Sequence, residues 1–296
     1  MPHGGCGLAP VVFFGQISMM SENTALFTKA RALFARASAF NSRKPPEGSL
    51  MLAVETDAGD RRHIGLLVPA VQDLIQGSAL AGLFHFGKEQ AALHLAPGKN
   101  LEETLALAAR TFHDEGLFFQ WRNELLDVVD VQSSTVISCA ERGLFRFLGM
   151  ATRCVYAVGT LEDGRIFMSR RSLTKQVDPG LWDCLAAGLV AAGEAPEVSL
   201  AREISEEAGL ACGQWRTAGS WSRFSVRRPV EEGWMHEDAL IMPVTVTDPA
   251  RVHNTDGEVM AIELKSPDEV LERIAADLVP SDTAIAFLYA TAAMQE

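Results

Sequence analysis

The sequence predicts an α/β protein in two units, a smaller one ahead of a larger one. Three observations carry this. Segments of helical period alternate with short runs of strand period along the whole chain. The 296 residues, 48% of them hydrophobic, exceed an ordinary single domain and suffice for two cores. The patterned segments fall into a group at 27–131 and a group at 150–296, joined by a connector at 132–149.

Residues 1–26 read as an N-terminal tail, with disorder open and with Met19 or Met20 as an alternative start. From Glu22 to Phe40, Leu26, Ala30, Leu33, Phe34 and Ala37 recur at helical spacing, and NSRKPPEGS ends the helix with turn residues. LMLAVET and HIGLLVPA read as strands about the polar turn DAGDRR. Amphipathic VQDLIQGSALAGLF, a strand at AALHLA and a helix at LEETLALAARTFHDEG follow, and LFFQWRNELLDVVDV closes the unit. Nothing in it has the spacing of a catalytic constellation. Arg122 in QWRNELLD reads as an ion-pair partner of Glu124 or Asp127.

In the second unit CVYAVGTLEDGRIFMSRRS alternates about the turn EDGR as a β-hairpin does. A loop TKQVDPG and strand-like LWDCLAAG lead to a helix from Pro196 to Ala208. Pro196 suits its first turn, where a missing N–H has no partner to lose, and Gly209 suits the left-handed position past its end. Strands at WRTAGSWSRFSV and DALIMPVTVT and a helical region from Pro267 to Gln295 complete the unit.

A net charge of −12 and a pI near 5.1 repel nucleic-acid phosphates and anionic lipid, so neither is an expected partner. An anionic small molecule stays open, because a bound divalent metal reverses the local sign. The five cysteines, Cys6, Cys139, Cys154, Cys184 and Cys212, are scattered and never spaced C-x-x-C, which reads as a reduced, cytoplasmic chain without zinc. No apolar run reaches the ~18 residues of a membrane span. The oligomeric state is open, a homodimer included.

The helix from Pro196 holds the chemistry. Ala201, Ile204 and Ala208 share one side, while Glu203, Glu206 and Glu207 lie within an arc of about 100°. Acidic helix faces are usually just solvated. Here Glu203 and Glu207 form a like-charge pair four apart, at the helix end whose dipole disfavours anions, which calls for a cation. Arg202, four before Glu206, supplies part of it. The rest invites Mg2+ or Mn2+, hard ions that take carboxylate oxygens.

Gly188, five residues, Glu194, seven residues, then Arg202-Glu203-Ile204-Ser205-Glu206-Glu207-Ala208-Gly209-Leu210 resembles the Nudix box at all nine of its specified positions. The resemblance implies a mixed β-sheet sandwiched between helices, a divalent metal, and hydrolysis of a small-molecule diphosphate linked to another moiety. It implies Glu206 and Glu207 as metal ligands, Glu203 as a ligand or as the base that takes the water's proton, and the Gly188 carbonyl as a further ligand. Glu194 and Arg202 would hold the helix and orient these groups.

A narrower resemblance joins RRSLTKQVDPGLWDCLAAGLVAAGE with ERGLFRFLG, WRNELLDVV and DGEVMAIELKSPDEVLERI. Together these look like a two-domain Nudix group related to the hydrolase part of fungal thiamine pyrophosphokinases. That likeness implies thiamine diphosphate, or better its oxo and oxy forms, as substrate, cleaved to the monophosphate. Nucleoside diphosphate derivatives such as ADP-ribose or a dinucleotide, isopentenyl diphosphate isomerisation and a non-catalytic binding module stay as alternatives. Outside the box, Arg170, Arg171 and Lys175 are candidates for the terminal phosphate, against a solvated hairpin end. Trp182 is a candidate to stack on a substrate ring, against a place in the core. Glu258 and, ahead of the strand DALIMPV, Glu237 are candidates for a further acidic residue near the metal, against ordinary turn carboxylates.

Overall fold

Two hydrophobic cores organise the computed structural model, which describes residues 24–293 apart from 119, 176 and 256. The expected tail at 1–26 lies almost wholly outside the described residues. The first core is built on strands β1 (Leu50–Glu55), β2 (Arg61–Leu67), β3 (Phe84–Phe86) and β4 (Gln90–Leu93), in the order β2-β1-β4-β3 with β1 parallel to β4. Helices α2 (Pro69–Gln76) and α3 (Leu101–Asp114) bury Val71 and Ile75, and Leu105, Ala108 and Phe112, in that core. Asn100 and Glu103 cap α3 reciprocally, satisfying two N–H groups that a helix start leaves without partners.

The stretch assigned as a connector, 132–149, is part of this core. Strand β6 (Val136–Glu141) pairs antiparallel with β5 (Leu125–Val129), and α4 (Gly143–Leu148) buries Leu144, Phe145, Phe147 and Leu148. Four large apolar side chains in six residues have to leave water, which a linker cannot provide.

The larger sheet centres on β7 (Ala151–Thr160), with β13 (Gly233–Val246) parallel along one edge and β11 (Trp215–Thr217) and β12 (Ser222–Val230) antiparallel to β13. The turn at EDGR joins β7 to β8 (Ile166–Arg171), but the two pair only at Thr160 and Ile166. Strand β10 (Ala186–Leu189) takes the same edge of β7 over Cys154–Ala157. Short β9 (Trp182–Asp183) and β14 (Val259–Lys265) pair with β8 instead. The sheet therefore forks, and the expected hairpin is open.

Alternation along β7 gives each face its own helices. Val155 and Ala157 pack with Leu200, Ile204 and Ala208 of α5 (Pro196–Ala208). Cys154, Tyr156 and Val158 pack with α6 (Pro267–Ala275) and α7 (Ser281–Ala293), which make up the helical region expected there and are separated by a turn with Asp277 at φ 57° and by Pro280. Helix α1 (Thr24–Asn41), grouped by sequence with the first unit, lies on this second face. Its Ala30, Leu33, Phe34 and Ala37 join the second core, Phe34 meeting Tyr289 edge-on at 5.8 Å between centroids. Helical period shows that α1 has an apolar stripe without showing which core will take it. No helix of the described residues is long and apolar enough to cross a membrane.

Candidate functional site

Helix α5 starts with Pro196 and ends at Gly209, whose φ of 66° is left-handed. On it Glu203 and Glu207 turn inward, each only 9% exposed, while Glu206 stays half exposed. Arg202 ties the box together. It donates to Glu203 at 2.6 Å, to Glu206 and Glu194 at 3.2 Å, and to the Leu189 carbonyl at 3.2 Å. The Ser199 hydroxyl donates to Glu194 at 2.5 Å, lowering the Glu194 pKa, with Arg202 adding to the effect. A guanidinium fork meets several acceptors at once, so the helix is fixed to the loop before it.

Gly188 on β10 explains the glycine of the box. A Cβ there would fall 2.1 Å from the Glu203 carboxyl carbon, so glycine admits that carboxyl against the strand. Glu207 accepts the Ala187 N–H at 3.0 Å and has Lys175 Nζ 3.7 Å away. Burial pushes the Glu207 carboxyl up to about 8 against the pull of Lys175. Burial also raises Glu203, opposed by Arg202. The Arg202 guanidinium, despite its own burial, is held charged by Glu194 and Glu203.

These groups line a cleft of about 750 Å³ where the sheet forks. Glu203, Glu206, Glu207, Gly188, Arg202, Arg171, Lys175, Glu237 and Glu258 are all on its wall. Among them Lys175 pairs with Glu258. Arg170 does not line the cleft: neighbours on a strand face opposite ways, and its Nε donates to the Gly180 carbonyl at 3.2 Å. Arg171 is spent on Asp183, at 2.7 Å, and on the Val177 carbonyl. Trp182 also stays out of the cleft. It is 8% exposed in the second core, with the Arg273 guanidinium 3.9 Å from its ring centroid, so its faces are taken by protein. Glu237 lies inside β13 rather than ahead of it, and is buried.

Sequence reasoning missed Asp183, Tyr156, Asp282, Arg142 and Arg146, all on the cleft wall. Asp183 accepts from Arg171 and, at 2.8 Å, from Thr283 Oγ1. Its signal was a charged residue inside the apolar run LWDCLAAG, since a buried carboxylate must have partners. Arg122 also lines the cleft, while Glu124 is bonded by Arg142 at 2.7 Å and Asp127 by Arg153 at 2.5 Å. Arg142 and Arg146 beside it join burial in lowering the Arg122 pKa.

Among the described residues no three carboxylate, imidazole or thiolate groups stand close enough together to hold a metal ion as they are. The donor set nevertheless fits a hard divalent cation. It is oxygen-only, Glu203 rests in a cradle that a Cβ would fill, and Glu203 and Glu207 are both raised by burial that Arg202 and Lys175 do not offset.

Comparison with known proteins agrees with this geometry. The NUDIX domain family matches residues 150–283. An uncharacterized Nudix hydrolase of Streptomyces coelicolor is 38% identical over 87 residues, 29% of this chain and 48% of that protein. One from Pseudomonas aeruginosa is 35% identical over 111 residues, 38% of this chain and 63% of that protein. An isopentenyl-diphosphate Delta-isomerase of Streptomyces griseus is 30% identical over 96 residues, 32% of this chain and 49% of that protein. The chain thus spans about half to under two thirds of the length of these relatives. The crystal structure of a Deinococcus radiodurans protein, DR0079, overlaps 53% of this chain and 91% of its own at 23% identity, with a TM-score of 0.40. Residues 150–283 of this chain, the box and the cleft's metal-side wall included, thus match the NUDIX domain family.

Proposed function

We propose that the chain is a metal-dependent pyrophosphohydrolase that cleaves thiamine diphosphate, or its oxo and oxy derivatives, to the monophosphate and phosphate. The observation behind this reading is the complete box with Glu203 and Glu207 buried side by side on the wall of the cleft. Mg2+ or Mn2+ held by Glu203, Glu206 and Glu207, with the Gly188 carbonyl, would neutralise phosphate charge and acidify a bound water. Arg202 and Glu194 keep the carboxylates aimed, and Glu203 is either a ligand or the base that receives the water's proton. Lys175, on the same wall as Glu207, would meet a phosphate oxygen. The apolar wall residues Phe118, Phe145, Met150 and Met235 suit an organic ring. Purified protein with Mg2+ and oxythiamine diphosphate is expected to release the monophosphate; no release above a Glu207→Gln control would sink the reading.

A second reading is favoured by the isomerase relative from Streptomyces griseus. On it, isopentenyl diphosphate would be isomerised without loss of phosphate. Offering ADP-ribose, a dinucleotide and isopentenyl diphosphate beside oxythiamine diphosphate separates the two by product: phosphate or monophosphate release from one, an isomeric diphosphate from the other.

A further inference from the structure

Glu237 is the least satisfied buried carboxyl of the cleft. It is 6% exposed, and its side chain has one hydrogen-bond partner among the described residues, the Tyr156 hydroxyl 3.3 Å from Oε1. That hydroxyl is also 3.3 Å from Asp282 Oδ2. One phenolic proton serves one carboxylate at a time, so when both carboxyls are ionised a donor is missing. Asp282 has a second donor in the Thr283 N–H, at 3.0 Å; Glu237 has none among the described residues. A carboxylate left this way is destabilising, a penalty that persists where a ligand relieves it.

The surroundings narrow what that ligand group is. Glu237, Tyr156 and Asp282 all line the cleft, so the shortfall faces its interior. Glu237 pairs through β13 with Thr152 on one flank of β7, while Gly188 of the box pairs with Val155 on the other. The distal carboxyl is therefore separated from the metal-side groups by the central strand, within the same cleft. Arg146 and Arg228 are near enough to pull the Glu237 pKa down, yet no hydrogen bond or ion pair of either reaches its carboxyl among the described residues. An N–H donor completes the set, and an anion would not.

We infer that Glu237, positioned by Tyr156 and Asp282, receives an amino or ring N–H of the heterocycle carried by the substrate, and so selects diphosphates whose organic moiety presents such a donor. The inference rests on the hydrolase reading for the identity of the diphosphate, but not for the binding it describes. A site built to accept from an N–H rejects an analogue that lacks it, because its own polar group is then stranded.

The probes are 4-aminopyrimidine and 4-methylpyrimidine, alike in shape, the second without an N–H. Ligand-observed NMR titration of the full chain at pH 8, with neither metal nor diphosphate added, is expected to show the amino probe binding about tenfold or more tightly. Glu237→Met is expected to bring the two affinities together. Equal affinities in the unaltered chain, no binding of either probe, or a preference that survives in Glu237→Met would each overturn the inference. The first two need no variant, so a misfolded Glu237→Met leaves it open to refutation. Phosphate release from thiamine diphosphate and oxythiamine diphosphate is followed on the same preparation once Mg2+ has been added. Its absence with the probe preference intact removes the hydrolase reading and supports the subsite; its presence without the preference removes the subsite alone.

Discussion

A Cβ on Gly188 would meet the Glu203 carboxyl carbon at 2.1 Å, so strand β10 and helix α5 share a contact that only glycine permits. Gly188→Ala must displace the carboxyl or the strand. Since displacements near 1 Å can cost about a hundredfold in rate, kcat on any accepted diphosphate is expected to fall at least tenfold, with a higher Mg2+ requirement. Rates across a Mg2+ titration check this; unchanged kcat and Mg2+ dependence would show that the close approach has no catalytic consequence.

Arg202 reaches Glu194, Glu203, Glu206 and the Leu189 carbonyl from one guanidinium. Lysine keeps the charge and loses the fork. Arg202→Lys is therefore expected to raise the Mg2+ concentration for half-maximal activity by about tenfold or more, the usual effect of removing a group that orients metal ligands. The thermal midpoint should move much less than the metal requirement, and calorimetry beside kinetics separates the two.

Glu237 gives a pH dependence of stability. Burial, with Asp282 adding, pushes its carboxyl up to about 7 from an ordinary 4.5. Between those values the folded chain holds a proton that the unfolded chain has released, so this group's contribution is full below about pH 4.5 and is lost as pH rises towards 7. The loss is up to about 3 kcal/mol at 1.36 kcal/mol per unit. Glu237→Gln, which cannot titrate, is expected to flatten the decline of thermal midpoint over that range. Parallel midpoint-versus-pH curves for the two proteins would show that Glu237 does not titrate in the folded state.

Trp182 separates a core role from a stacking role. With Arg273 3.9 Å from its ring centroid and no place on the cleft wall, Trp182→Leu should lower stability by about 2–4 kcal/mol. KM should stay within about threefold of the unaltered chain. A large rise in KM with little change in denaturant midpoint would return the ring to the substrate.

What was legible was what repeats or punctuates. Helix α5 shows itself through Pro196, Gly209 and its apolar stripe, and the box by spacing alone. Arg170 and Arg171 looked like one cluster because adjacency in sequence hides the opposite facing that a strand imposes. Glu237 looked like a turn residue because HED breaks the apolar run of β13, when the carboxyl had been drawn inside by Tyr156 across the sheet. The helix in GLFRFLGM could have been read from Leu144, Phe145, Phe147 and Leu148, and its burial argued against a linker. The cleft itself needed tertiary structure, since strands far apart in sequence supply its wall.

Helix α1 sets the order in which the chain can fold. Its Arg36 donates to the Ile274 carbonyl, 238 residues away at 2.8 Å, and its apolar stripe waits for α7. Helix α1 reaches its full seat only once α6 and α7 have been made, whereas the first core needs almost nothing beyond residue 150. The first unit can thus condense early, and α6 and α7 later close the second core over α1. Both ends of the early-folding unit are then anchored in the late-folding one, which clamps its arginine wall against the cleft instead of leaving it on a hinge.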